Sequence, residues 1–178
     1  MSLIYLEDNF ITREQSRYII NYYKTHLDSV KQYDFNYPLS ILNTTDYSLK
    51  TISDRILSIC KRFKNDVGLD NLEIVKWPVK SHMKFHKDTG DVFASILYLN
   101  DNYIGGNTAF DSFQVDPKVG RLLIFSNSYY RHCVKEVGGT SRYTLAAWYV
   151  ADWRLRYVAK TLEGMNSYQK ELLEKDFF

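Results

Sequence analysis

Phe85-His-Lys-Asp88, His132-Cys-Val134 and Arg142-Tyr-Thr-Leu-Ala-Ala-Trp-Tyr149 are the three pieces of one stretch on which the fold and chemistry of this chain turn. Each reads as a strand. Side chains at i and i+2 on a strand share a face, so His86 and Asp88 can reach one point together. His132, from far along the chain, would bring a second imidazole. Two imidazoles and one carboxylate suit a non-heme Fe(II) with open coordination positions. Alone, His-x-Asp is a common chance pattern. Isolated histidines such as His26 and His82 read as surface or hydrogen-bonded residues.

The third piece sharpens the reading. Arg142 opens an alternating run in which Arg142, Thr144, Ala146 and Trp148 share one face. An arginine at the base of a strand-lined pocket needs a carboxylate, which its guanidinium fork can hold through two parallel hydrogen bonds. That carboxylate is either an Asp or Glu of the protein or an organic acid from outside. Thr144, on the same face, can add a hydrogen bond.

Working outward, strand signals dominate from Leu72 onward. They cover Leu72–Trp77, Met83–Lys87, Phe93–Leu99, Thr108–Phe110, Gly120–Phe125, Arg131–Val134 and Arg142–Val150. Turn material separates them, including Asn100-Asp-Asn102, Gly105-Gly106, Asp116-Pro117 and Gly138-Gly139. Gly105-Gly106 reads as turn geometry, since no phosphate-loop pattern accompanies it. Many short strands with regular turns predict a two-sheet jelly roll.

Before them, Leu3 to Leu6 predicts a short strand. Thr12-Arg-Glu-Gln15 has the form of a capping box, opening a helix with Tyr18, Ile19, Tyr22, Tyr23 and His26 inward. Residues 28–47 read as a loop with room for one short strand. In a second helix Leu49, Ile52, Ile56, Ile59, Cys60 and Phe63 recur at three and four, ending near Gly68. Residues 163–178 read as a last helix. The fold class is therefore α+β, mainly β: a jelly roll with supporting N-terminal helices on one sheet face. One domain is expected over residues 1–178, with helical support over 1–70 and the core over 72–151.

A chain of 178 residues, 45% hydrophobic and 25% charged, is long enough to bury a core without staples. Its net charge of +2 lacks the basic excess of an obligatory nucleic-acid binder. Cys60 and Cys133 cannot build a disulfide framework, which favours a reducing cytoplasm. The N-terminus has no signal-peptide pattern, and no apolar run is long enough to span a bilayer.

Several segments together carry a family likeness. Ile74-Val-Lys-Trp-Pro78 leads into Phe85-His-Lys-Asp88. Then come Ile96-Leu-Tyr-Leu-Asn100, Gly105-Gly-Asn-Thr-Ala-Phe110, Pro117-Lys-Val-Gly-Arg-Leu-Leu-Ile-Phe125, His132-Cys-Val134 and Arg142-Tyr-Thr-Leu-Ala-Ala-Trp-Tyr149. In order and spacing, Leu72 to Val150 resembles the 2-oxoglutarate and Fe(II)-dependent dioxygenases, in their prolyl 4-hydroxylase-like branch.

The resemblance implies a double-stranded β-helix and a set of roles. His86, Asp88 and His132 would bind iron. Arg142 would hold the distal carboxylate of 2-oxoglutarate, helped by Thr144 and Tyr98. Trp77 falls where many relatives carry a pocket tyrosine, and indole can donate a hydrogen bond but not accept one. Trp148 and Trp77 are expected to line the substrate mouth.

The implied reaction uses Fe(II), 2-oxoglutarate and O2, with ascorbate as a possible stimulant. It hydroxylates an unactivated C–H bond and releases succinate and CO2. A prolyl residue in a protein or peptide is the first substrate reading. A small molecule such as a free amino acid is the second, and a catalytically silent jelly-roll binding module the third. Nucleic-acid repair is disfavoured, because the repair branch carries a second arginine six residues after the first and position 148 is Trp. The expected setting is cytoplasmic, or the host cytoplasm for a viral source.

Overall fold

The computed structural model describes residues 2–35, 37–43, 46–88 and 92–152. Strand β1 (Ile4–Glu7) precedes helix α1 (Arg13–Thr25), and strands β2 (Lys31–Phe35) and β3 (Tyr37–Asn43) precede helix α2 (Tyr47–Phe63). The longest early strand, β4 (Val67–Trp77), is followed by β5 (Met83–His86), β6 (Phe93–Tyr98), β7 (Ile104–Gly105) and β8 (Thr108–Phe110). Strands β9 (Gln114–Val115), β10 (Leu122–Ser126), β11 (His132–Val134), β12 (Val137–Gly138) and β13 (Arg142–Ala151) complete the order.

A seven-stranded sheet runs β1-β10-β6-β13-β4-β3-β2, and a four-stranded sheet runs β5-β11-β8-β9. Every pairing is antiparallel. This is the jelly roll with N-terminal helices that the strand spacing predicts.

The middle of the large sheet is covered on both faces, so β10, β6 and β13 are apolar almost throughout. On one face Leu72, Ile74, Leu97, Leu122, Ile124, Leu145, Ala147 and Tyr149 pack against Ile19 and Tyr23 of α1 and Leu49, Ile52, Ile56 and Cys60 of α2. The alternate residues turn toward the small sheet. Val75, Trp77 and Ala146 meet Tyr103, Val134 and Val137, while Ala94, Tyr98, Leu123 and Phe125 meet Phe110 and Val115. The interior between the sheets is where the functional side chains gather.

Three local expectations need correction. Residues 31–43, read as a loop with at most one strand, form the β2–β3 hairpin that adds two strands to the large sheet. The second helix stops at Phe63, and the strand after it begins at Val67, because β4 extends to pair with the far end of β13. In α1 the buried residues are Ser16, Ile19 and Tyr23. Tyr18 is 50% exposed, and His26 is also exposed, stacking on Tyr22 at 4.0 Å. The predicted capping box is present, Gln15 N donating to Thr12 Oγ1 and Thr12 N to Gln15 Oε1. The helix predicted over 163–178 lies outside the described residues. Among the described residues no helix is long and apolar enough to cross a membrane.

Candidate metal centre

β11 is the middle strand through which the site is assembled. His132 lies directly opposite His86 of β5 on one side and Phe110 of β8 on the other. Register alone therefore makes the two imidazoles neighbours, with ring centroids 4.3 Å apart. Asp88 follows two residues after the end of β5 and folds back to the same point. Its Oδ1 lies 3.3 Å from His86 Nε2 and its Oδ2 lies 3.9 Å from His132 Nε2. One ligand atom from each of the three residues falls within 4.8 Å of the others.

Each member is oriented. Lys84 O lies 2.8 Å from His86 Nδ1. A proton on Nδ1 is donated to that carbonyl, which turns Nε2 toward the shared point and Asp88. Asn127 Nδ2 donates to Asp88 Oδ2 at 2.9 Å, and Trp148 Nε1 donates to the same oxygen at 3.1 Å. These bonds fix the plane of the carboxylate.

His132 is 6% exposed and packs edge-on to Phe125 at 4.7 Å. Burial, aided by the charge of His86, pulls its pKa down to about 4, so it is neutral near pH 7. Burial alone would raise the pKa of Asp88, but hydrogen bonds from His86, Asn127 and Trp148 win and hold it well below the usual carboxylate range. The hydrogen bond to Asp88 holds the His86 pKa above its ordinary value, against burial. The neutral imidazole of His132, the ionised carboxylate of Asp88 and the imidazole of His86, once a metal displaces the proton it shares with Asp88, are the donors a divalent first-row metal requires, so the residues present fit Fe(II).

Arg142 stands at the other end of the same interior. It is 1% exposed. Among the described residues no carboxylate forms an ion pair with it. Its Nη2 is 3.4 Å from Thr108 Oγ1, which in turn accepts from Tyr98 O–H at 2.7 Å. Its Nε has no hydrogen-bond partner among the described residues. The rings of Trp77 and Tyr98 flank the guanidinium at 5.2 and 5.4 Å. A buried cation without a counter-charge costs several kcal/mol. Among the described residues the guanidinium thus lacks the protein carboxylate that was one of the two sources left open by the sequence.

Gly106 is what lets this end close. Its φ is +62°, and a Cβ there would meet the Tyr103 ring at 2.7 Å and Arg142 Cδ at 3.2 Å. Tyr103 is thereby pressed beside the guanidinium.

Thr144 lies opposite Tyr98 and Val75, one rung above Arg142, and is buried. Trp148, expected at the substrate mouth, donates its indole N–H to Asp88 Oδ2. Trp77, expected with it at the substrate mouth, sits at the other end, opposite Arg142 and 8% exposed. The β4–β13 register dictates this, since Trp77 pairs with the first residue of β13 and Asn71 with Trp148. Thr108, Tyr103 and Asn127 were not singled out from the sequence. The alternation of Thr108 with inward Phe110 is the one signal that would have pointed to any of them.

Residues 72–150 match the sequence pattern of the 2OG-Fe(II) oxygenase superfamily. No curated protein matches the chain. Solved structures do match. A viral collagen prolyl hydroxylase from Paramecium Bursaria Chlorella virus-1, in complex with 2OG, is 14% identical, with 83% of this chain and 95% of that one covered and a TM-score of 0.67. A Pseudomonas putida prolyl-4-hydroxylase is 16% identical, covering 83% of this chain and 92% of that one, with a TM-score of 0.69. A Trichoplax adhaerens prolyl hydroxylase, in complex with a hypoxia inducible factor oxygen degradation domain peptide fragment, is 21% identical. It covers 87% of this chain and 86% of that one, also with a TM-score of 0.69. At these identities the likeness establishes the fold, while the matched segment spans every residue of the triad and the Arg142 pocket. Residues 72–150, which hold the triad and Arg142, belong to the 2OG-Fe(II) oxygenase superfamily.

Proposed function

We propose that His86, Asp88 and His132 hold Fe(II), that Arg142 holds the far carboxylate of 2-oxoglutarate, and that the enzyme hydroxylates a prolyl residue in a protein or peptide. The observation that carries the first two parts is the pairing of a three-donor cluster with a buried guanidinium that no described carboxylate neutralises. The prolyl part is supported by the three structural relatives, all prolyl hydroxylases, one of them bound to a peptide.

When bound, Fe(II) and 2-oxoglutarate supply the O2-dependent oxidation of a C–H bond, releasing succinate and CO2. The chain's own residues do the positioning. Thr144 and the Tyr98–Thr108 pair add polar contacts beside Arg142, and Trp77 and Tyr103 wall that end with aromatic surface. Asn127 and Trp148 orient Asp88. Aromatic and aliphatic side chains keep water from His132 and Arg142, which strengthens their polar contacts, while His86 and Asp88 stay partly open to solvent. Two buried free cysteines, Cys60 and Cys133, suit a reducing compartment such as the cytoplasm.

The test is conversion of 2-oxoglutarate to succinate by purified protein with Fe(II), ascorbate and O2. A prolyl peptide should raise the rate and gain the mass of one oxygen. A jelly-roll binding module would form no succinate, and that result would remove the enzyme reading. Trp148→Phe checks the positioning. It keeps the ring but removes the N–H donor to Asp88, and outer-shell donors of this kind contribute roughly 10–100-fold to metal affinity. Co(II) titration followed by absorbance should show at least a tenfold weakening, with the melting temperature of the metal-free protein nearly unchanged.

A further inference from the structure

One carboxylate inside the barrel belongs neither to the triad nor to the Arg142 pocket. Glu73 is 6% exposed. Along β4, Trp77, Val75, Glu73 and Asn71 lie opposite Arg142, Thr144, Ala146 and Trp148 of β13, rung by rung. Val75, Trp77, Ala146 and Trp148 pack together on the interior side, which places Glu73 on that same wall. The bottom rung carries the guanidinium. The top rung carries Trp148, whose indole N–H reaches Asp88. Glu73 is one rung below the top, about 7 Å along the strand.

This is an unfavourable place for a charge. On β4 and β13 its neighbours are Val75, Asn71, Ala146 and Trp148, and Asn43 of β3 is paired opposite it on the other side. Asn71 Nδ2 donates to Glu73 Oε1 at 2.5 Å. No described Lys, Arg or His forms an ion pair with it. Burial raises its pKa, and the Asn71 hydrogen bond and the charge of Lys31 offset that only in part. An apolar side chain would pack there without that cost. A carboxylate already stripped of water gains strongly from a cation that arrives with its substrate.

We propose that Glu73 is a specificity residue of the substrate cavity, receiving the ammonium or guanidinium of a lysyl or arginyl side chain in a peptide. The C–H presented to the triad then belongs to that basic residue or to its neighbour. This deepens the oxygenase reading of the site and rests on it.

The test uses two pairs of acetylated, amidated tripeptides. Glycine–lysine–proline is set against glycine–norleucine–proline, and glycine–arginine–proline against glycine–citrulline–proline. Within each pair only the side-chain charge is removed. Binding is read by ligand-observed NMR titration to metal-free protein and to protein loaded with Mn(II) and 2-oxoglutarate.

In at least one form the wild type should bind the charged member roughly tenfold or more tightly, the scale of one charge-assisted hydrogen bond. That ratio should fall to about one in Glu73→Gln, which keeps the shape and the Asn71 contact, and in Glu73→Leu, which packs without a polar group. Circular dichroism verifies that each variant is folded. No preference in either wild-type form, absence of binding included, overturns the proposal, as does a preference that survives in both variants. A charge preference without succinate formation would sink the oxygenase reading alone. Succinate formation without a charge preference would sink the role of Glu73 alone.

Discussion

A His132→Ala protein is expected to form no succinate above background and to bind Fe(II), Mn(II) or Co(II) at least ~10³-fold more weakly than wild type, well beyond the 10–100-fold attached to outer-shell partners. His132 is the buried member of the cluster and the one whose strand pairs with both neighbours of the small sheet. Its low pKa means that near pH 7 no proton has to leave before a metal binds. Alanine leaves His86 and Asp88, two donors that remain hydrogen-bonded to each other and to Asn127 and Trp148.

The variant also opens a cavity beside Phe110 and Phe125, so some loss of stability accompanies the loss of metal. The two effects separate in a melting experiment. A ligand at 100 times its Kd stabilises the native state by about 2.7 kcal/mol. Saturating Mn(II) should therefore raise the melting temperature of the wild type and leave that of His132→Ala unchanged. A metal-dependent rise of equal size in both proteins would show that the ion binds elsewhere.

Parts of this site could be read from the chain because strand alternation is strict. Arg142, Thr144, Ala146 and Trp148 occupy one face by parity alone, and one inward face is what the structure shows. His86 and Asp88 follow the same rule, although Asp88 lies just past the end of its strand. What parity cannot give is the partner across the sheet. Asn127 and Asp88 are 39 residues apart and Thr108 and Arg142 are 34 apart, and only the register of separate strands joins them. The displaced role of Trp77 has the same cause: its face was legible, its rung was not. The β2–β3 hairpin was hidden for a different reason. Pro38 and a polar first strand weaken the local strand signal, and pairing of β3 with β4 overrides it.

An Arg142→Ala protein should keep its metal and lose its hold on 2-oxoglutarate. Arg142 lies opposite Trp77 at the end of the interior remote from Asp88, so its removal leaves the hydrogen bonds of the triad intact. Hydrogen bonds to a charged group contribute about 1.5–3 kcal/mol each, and a two-pronged pair makes the loss at least 100-fold. The expected readout is a KM for 2-oxoglutarate raised by ~100-fold or more, with Co(II) affinity within about threefold of wild type, under the 0.7 kcal/mol that such a factor represents.

Stability should move the other way. The metal-free wild type carries a buried guanidinium that no described carboxylate neutralises, and removing an uncompensated charge relieves a desolvation cost of several kcal/mol. The lost packing of its alkyl stem against Gly106 and Tyr103 opposes that gain. Arg142→Met keeps most of the stem and discards the charge. It should melt above the wild type in the absence of 2-oxoglutarate, and the order should reverse once the wild type is saturated with it. An Arg142→Met protein that melts far below the metal-free wild type would mean that the guanidinium already has its counter-charge, and the acid-binding role would fall with it.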